Sequence, residues 1–340
     1  MPDMTNKYRQ RMIFLIVLFV AAIFFAFGLG RYPVYPGELV KILLSRIFNI
    51  TQTWAGATET VVLNIRLPRI LAGIIIGAGL SVAGTAYQGM FRNPMVSPDV
   101  LGASAGAGFG AALSILLGMG WVVTSSAAFA FGLAAVVLAY TFGRLFKGNA
   151  ILGLVLSGMM ISTLFTSGTS FIKLIADTDS VLPAITYWLM GSLSSIRMGD
   201  LFPGTLPIII GIIPLFLLRW QFNLLAAGED EARSMGVNTG ALRLVIIICS
   251  TFITAACVAL SGLIGWVGLV IPHFCRMIFG HDNRRVIPAS LIMGAAYLLI
   301  VDTVARIFTT TEIPIGILTS VIGAPVFIYL MLSGGRKNEY

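Results

Sequence analysis

Charge is scarce in this sequence, and acidic charge scarcest: of 340 residues, 14 are Asp or Glu and 22 are Lys or Arg. Charged residues make up 11% of the chain, against roughly a quarter in soluble domains, while 57% are hydrophobic. With a mean hydropathy of +0.94, that balance excludes an ordinary soluble domain. Cysteine is nearly absent. Cys249, Cys257 and Cys275 lie in or beside apolar runs, and an odd number so placed excludes a disulfide framework. Histidine is limited to His273 and His281. His273 and Cys275 are two apart and so point in different directions on a helix, with Pro272 and Arg276 crowding the same stretch; they read as structural or loop residues, and no metal ligands are assigned. The serines of residues 191–195 have no His or Asp at a recognisable spacing, so no catalytic residue is assigned either. Neither G-x-x-x-x-G-K-[ST] nor any Gly-Lys dipeptide occurs. No cofactor is therefore expected on this chain, and any ATP and Mg it depends on must sit on another polypeptide.

What is present is a series of long apolar runs. Residues 12–30 contain no charge and approach the ~20 residues needed to cross the hydrocarbon. A cleaved signal peptide is the competing reading, but its apolar region is only about 7 to 15 residues long. Further runs lie near 67–87, 99–118, 121–142, 150–172, 203–219, 242–262, 264–279, 286–305 and 314–332. The expected fold is an all-α polytopic membrane protein, a single domain over 1–340, with ten transmembrane helices. A cytoplasmic N-terminus puts 14 of the 22 Lys and Arg on the inner side and 8 on the outer, so both termini are expected inside the cell membrane. Five spans on either side of the charged loop near residue 230 would give two halves of opposite topology. The net charge of +8 and pI near 9.7 would suggest nucleic acid in a soluble protein. Here the basic residues flank spans, so anchoring explains them and no nucleic acid is expected.

Glycine marks how the spans meet. Gly102, Gly106 and Gly110 recur every four residues, and Gly73 and Gly77 repeat the spacing, giving smooth faces for close helix packing. Ser97, Pro98 and Asp99 read as cap, first residue and dipole partner of the third span. Ionisable residues inside the spans are few, which argues against proton or ion coupling and so against an ATP-independent secondary transporter or channel. The exceptions, Asp302 and Arg306, are four apart with the acid first, a favourable pair.

One short stretch breaks the apolar pattern: LLAAGEDEARSMGVN, residues 224–238. Glu229, Asp230 and Glu231 fall in the first turn of a short helix, where negative charge suits the dipole. Glu229 precedes Arg233 by four, Gly236 suits a left-handed helix end, and Leu225, Ala232 and Met235 leave a small apolar face. A second helix start follows at Thr239.

Several motifs in order resemble the FecCD family of ABC-importer permeases. They are Arg66-Leu-Pro-Arg69, the run from Gly77 to Gly84 and on to Gln88, Arg92-Asn-Pro94, Pro98, Leu101-Gly102 and Gly106-Ala107. The resemblance continues through Trp188-x-Met-Gly-Ser192, Ala232-Arg-Ser-Met-Gly236, Gly268-Leu-Val-Ile-Pro-His273, Asp302-x-x-x-Arg306, Glu312-Ile-Pro-Ile-Gly316 and residues 323–327. It implies a ten-helix subunit that forms a homodimer, or pairs with a homologous permease, around a central pathway. Two cytoplasmic ABC ATPase subunits would drive it, and an extracytoplasmic substrate-binding protein would deliver an iron chelate, either a ferric siderophore or haem; cobalamin and molybdate are the alternatives within the family. Residue by residue, it implies ATPase coupling at Gly228, Glu229, Asp230, Glu231, Ala232, Arg233, Ser234, Met235 and Gly236. It implies binding-protein docking at Arg66, Arg69 and Arg306; interfacial anchoring is the alternative for Arg66 and Arg69, and a mutually neutralising pair with Asp302 for Arg306. A cytoplasmic gate falls on Lys147, Gly148 and Asn149, which lack the small hydroxyl residues of cobalamin permeases, and Met159 and Met160 are candidates to line the pathway.

Overall fold

The computed structural model describes residues 2–48, 50–146, 148–308 and 312–335, and every regular element among them is helical. The chain opens with α1 (Pro2–Gly28) and the short α2 (Pro36–Leu44) and α3 (Gly56–Thr60). A π-helical stretch, Val61–Arg66, joins α3 to α4 (Leu67–Phe91). Then come α5 (Ala103–Leu116), α6 (Trp121–Leu145), α7 (Ala150–Ile175), α8 (Val181–Met190) and α9 (Met198–Leu217). The remainder is α10 (Gln221–Ala227), α11 (Glu229–Ser234), α12 (Thr239–Ser261), α13 (Val267–Phe279), α14 (Asn283–Ile307) and α15 (Ile315–Gly335).

All ten expected apolar stretches fall on helices, but not all at full length. Seven coincide with helical segments long and apolar enough to cross a membrane: Asn6–Gly28, Gly56–Phe91, Trp121–Leu145, Ala150–Ile175, Met198–Leu217, Thr239–Ser261 and Asn283–Ile307. Two others fall on the shorter α5 and α13 and the tenth on α15, and α8 is a further short apolar helix outside the expected set. Local backbone explains the shortening. Residues 97–102 fold as turns ending at Gly102, with φ +85°, so α5 starts at Ala103 rather than beside Pro98. Asp99 still meets the helix's positive end, accepting from the Ser104 N–H at 2.6 Å. Before α13 the chain turns through Gly262 at φ +70° and Trp266 at φ +69°. Such irregular backbone is tolerated at membrane depth only where protein covers it.

The bundle is organised around α4, of which 21 residues are buried. It packs on α14, α12, α13 and α9, whereas α1 is mostly exposed apolar surface. The contacts are backbone to backbone. A Cβ on Gly77 would lie 2.3 Å from the Gly294 carbonyl oxygen on α14, and one on Gly84 1.8 Å from that of Gly268 on α13. The glycine stripe of α5 acts in the same way: Cβ atoms on Gly106 and Gly110 would meet the α6 carbonyl oxygens of Phe131 and Ala127 at 2.4 and 2.5 Å. Small-residue faces of this kind let helices approach where burial of apolar side chains from lipid gains little.

Gly84→Ala is therefore expected to destabilise the purified protein by at least about 1–3 kcal/mol, since its new methyl meets backbone that cannot yield alone. Thermal unfolding in detergent measures it against Gly37→Ala, a position with nothing within 4 Å. Equal midpoints for the two variants would contradict the packing argument.

Candidate functional site: the charged helix pair and the arginine network

The helix pair α10–α11 forms because its few apolar residues turn inward and its charges cap what they leave open. Phe222 and Leu225 anchor α10 with 1% and 3% exposure, and Ala232 of α11 is fully buried. Glu229, Asp230 and Glu231 occupy the first turn of α11. Its other end closes as the sequence suggests. Gly236 takes φ +81°, its N–H donates to Arg233 O at 2.9 Å, and the Val237 N–H donates to Ala232 O at 3.0 Å, the paired bonds of a Schellman cap. The expected apolar face divides: Leu225 and Ala232 point inward while Met235 is 66% exposed. Asn238, one residue before the expected start at Thr239, caps α12 by accepting from the Ala241 N–H at 3.0 Å.

Glu229 is the hub. Its Oε1 accepts from Arg233 Nη2 at 2.8 Å, the expected pair, and from the Thr239 hydroxyl at 3.3 Å. Its Oε2 accepts from Arg243 Nη2 at 2.7 Å, a contact across two helices with no local sequence signature. Burial works to raise the Glu229 pKa, but the Arg243 hydrogen bond and the Arg243 and Arg233 charges outweigh it and hold the carboxyl below its ordinary value. Asp230, Glu231, Ser234, Met235 and Gly236 are exposed beside this clamp, while Gly228 is buried at its hinge with α10. A second clamp was equally invisible in sequence. Asn223 of α10 donates from Nδ2 to Asp282 Oδ1 at 2.6 Å, and its Oδ1 accepts from the Asn283 N–H at 2.8 Å. The helix pair is thereby fastened to the N-terminus of α14.

The far part of α14 carries the arginines. Arg69 of α4 donates from Nε to both Asp302 carboxylate oxygens at 2.8 and 3.1 Å, and its Nη1 reaches Glu312 Oε2 at 2.8 Å. Arg306 lies 3.3 Å from Asp302, as its spacing suggests, and donates to Ala26 O at 3.0 Å. Arg66 donates to the carbonyls of Phe27, Gly28 and Tyr32, closing the end of α1. These three arginines are the residues expected to face a binding protein. In the isolated chain they are buried, at 3%, 4% and 7% exposure for Arg66, Arg69 and Arg306, with partners inside their own chain. These contacts fasten α1, α4 and α14 to one another.

The remaining candidates lie on α7. Asn149 caps that helix, its side chain accepting from the Ile151 and Leu152 N–H groups at 2.9 and 3.4 Å; Gly148 precedes it, and Lys147 lies outside the described residues. Met159 and Met160 are 51% and 66% exposed. The same helix lines a hollow of about 410 Å³ with Ser162, Thr163, Thr166, Ser167 and Ser170, an uncharged hydroxyl surface. Cys275 is buried against Met293, while His273 of the same helix is half-buried.

A bundle of apolar helices, joined backbone to backbone and bearing one capped, charged helix pair tied to a long internal helix, defines the membrane subunit of a transporter worked from outside its own chain. The FecCD transport family model matches residues 16–333, and the chain belongs to that family. It is a multi-pass permease subunit of an ABC importer in the cell membrane. Among its relatives is the molybdate import system permease protein MolB of Haemophilus influenzae, 38% identical over 98% of this chain and 99% of that protein. The hemin transport system permease protein HmuU of Yersinia pestis is 37% identical over 82% and 84% of the two chains. A solved structure described as an inward-facing conformation of a metal-chelate type ABC transporter superimposes with a TM-score of 0.86 at 35% identity, covering 96% of this chain and 99% of that one.

Asp302→Ala should cost about 3–5 kcal/mol, because it strands Arg69 and Arg306 in a buried site. Thermal unfolding of the purified variant checks it, and Asp302→Asn should fall between variant and parent. At the other end, a lowered Glu229 pKa means the charged clamp stabilises the folded helix pair fully above the ordinary glutamate range and is lost as pH falls through the lower folded-state value. Amide exchange of residues 229–236 should be faster in Glu229→Gln than in the parent at pH 7, and the difference should vanish as pH falls through the lowered folded-state value of Glu229.

Proposed function

We propose that this permease imports an iron chelate, a ferric siderophore or haem, handed over by an extracytoplasmic binding protein and moved by ATP hydrolysis on two ATPase subunits that engage α10–α11. The observation that carries the coupling assignment is the double fastening of this helix pair, through Glu229 to Arg243 of α12 and through Asn223 to Asp282 and Asn283 of α14. Force applied to exposed Asp230, Glu231, Ser234 and Met235 is then passed to two long helices rather than absorbed in a loop. At 1.5 Å per residue, the 25 residues of α14 reach ~37 Å, about the thickness of a bilayer. Closure of the ATPase pair on ATP would move the helix pair and switch the pathway between its two openings, an alternating-access step.

The ten apolar stretches are read as ten crossings with both termini in the cytoplasm, on the bias of Lys and Arg. The exposed face of α7 would be closed by a second copy of the chain or a homologous permease, so that Met159, Met160 and the hydroxyls line a shared pathway, with Gly148 and Asn149 near its cytoplasmic gate. Docking of the binding protein belongs at the arginine end. There Arg66, Arg69 and Arg306 outnumber Asp302 and Glu312 by one, leaving positive potential to steer an acidic partner.

An uncharged lining suits a bulky chelate. The Thr163 and Ser170 hydroxyls donate to the backbone at Met159 O and Thr166 O, leaving their oxygens to accept from a ligand rather than to cradle an anion. Molybdate is the second reading, favoured by similarity to MolB along almost the entire chain.

Arg233→Glu breaks the pair with Glu229, and Gly236→Pro removes both a left-handed residue and an N–H donor. Each should lower ATP-driven uptake on the order of tenfold while leaving membrane insertion intact; full transport by both would refute the assignment. For the substrate, ATPase stimulation of the reconstituted complex should be greatest with a ferric siderophore or haem. Stimulation by molybdate alone would transfer the assignment to the second reading.

A further inference from the structure

The two histidines of the chain, dismissed above as metal ligands, lie on one cavity of about 550 Å³ beside the helix pair, at Ala226. Its polar lining is Gln88 from the end of α4, Arg92 and Asn93 just beyond it, His273 and Arg276 from α13, His281, and Asn283 from the first turn of α14. That volume falls in the range of small-molecule sites. No carboxylate is among the lining residues, and no carboxylate pairs with Arg92 or Arg276 among the described residues. Asp282, the acidic neighbour, is already engaged by Asn223 and the Arg284 N–H.

We propose that this cavity binds a small, doubly charged oxyanion of the phosphate class. The site is built rather than incidental. Gln88 donates from Nε2 to Val96 O and Leu269 O, each at 3.2 Å, which turns its Oε1 toward Arg276 Nη1 and aims that guanidinium. Asn283 is only 4% exposed, yet its Oδ1 has no hydrogen-bond partner, and either end of its amide can be presented to a ligand. The guanidinium of Arg92 and that of Arg276, bonded to Gln88 Oε1 and to no carboxylate among the described residues, converge with two imidazoles on one partly enclosed space, and an Asn283 amide turned end for end adds an N–H; the acceptor these donors lack is an anion. Charge-assisted bonds to an oxyanion are about twice as strong as neutral ones.

The same chemistry is offered by a free oxyanion and by a lipid phosphate. A free anion is the source assigned here. The cavity adjoins the proposed coupling element, and hydrolysis on an attached ATPase releases inorganic phosphate. Only this choice of source rests on the coupling reading.

The test is equilibrium binding of inorganic phosphate to the purified full-length chain, first in phosphate-free detergent, then in nanodiscs of phosphatidylcholine with and without phosphatidylglycerol. Saturable one-site binding is expected, weakened by about tenfold or more in Arg92→Gln/His281→Gln, where both positions are exposed and folding is preserved. Arg276→Gln should weaken it further, with size-exclusion behaviour as the folding control. Absence of saturable binding, or equal binding by the double variant, would overturn the site. Loss of phosphate binding specifically in phosphatidylglycerol discs would give the cavity to a lipid headgroup and overturn the free-anion assignment. No ATPase is present in this experiment, so its failure leaves the coupling reading standing, and uncoupled ATPase variants leave this site untouched.

Discussion

The structure depends on backbone touching backbone along α4. Helices in lipid gain little by hiding apolar side chains from surroundings that are equally apolar, so they must be held by close contact and a few polar ties. Gly77 and Gly84 supply the contact: the Gly294 and Gly268 carbonyl oxygens occupy the space a side chain would need. Gly79 admits Ile208 of α9 and Ile253 of α12 in the same way, its Cβ position lying 2.8 and 3.0 Å from their side chains. Four neighbours are thereby set around one helix. Widening α4 at any of these points would displace elements that also carry the charged groups at either end.

Those charged groups form two separate systems joined by α14. Near its start, Asp282 and Asn283 take the hydrogen bonds of Asn223 and so receive the helix pair. Toward its end, Asp302 accepts from Arg69 and lies beside Arg306, tying α14 to α4 and to the end of α1. Buried ion pairs of this kind contribute little net stability over apolar packing, but they punish any displacement that separates them. An importer that switches between two openings needs such discrete arrangements, because packed helices are bistable rather than continuously deformable.

How much of this was legible in the sequence divides by range. The apolar runs, the glycine faces, the acidic first turn of α11, the Glu229–Arg233 and Asp302–Arg306 pairs and the left-handed Gly236 all express spacings of three or four residues along one helix, and each is visible in the string. The shortened α5 and α13 were not visible. Apolar composition continues through residues 100–102 and 262–266 although the backbone there is turned, and hydropathy registers side chains rather than dihedral angles. Partners distant in sequence were invisible for the same reason. Arg243 lies 14 positions from Glu229, and Asp302 lies 233 from Arg69. Arg66 and Arg69 therefore read as surface cations until the fold turned them inward.

The central claim is that force from ATP hydrolysis enters through the exposed side of α11. Met235 is the probe position, 66% exposed and one residue from the cap, and Cys249, Cys257 and Cys275 are all buried, leaving a quiet background. Disulfide cross-linking of Met235→Cys to single-cysteine variants of the partner ATPase, in the assembled transporter, is the direct measurement. The account predicts an intersubunit cross-link whose formation blocks ATP-driven uptake and is reversed by reductant. Uptake that continues unchanged with Met235→Cys locked to the ATPase, or cross-linking equally efficient from Val123→Cys on α6, would contradict it.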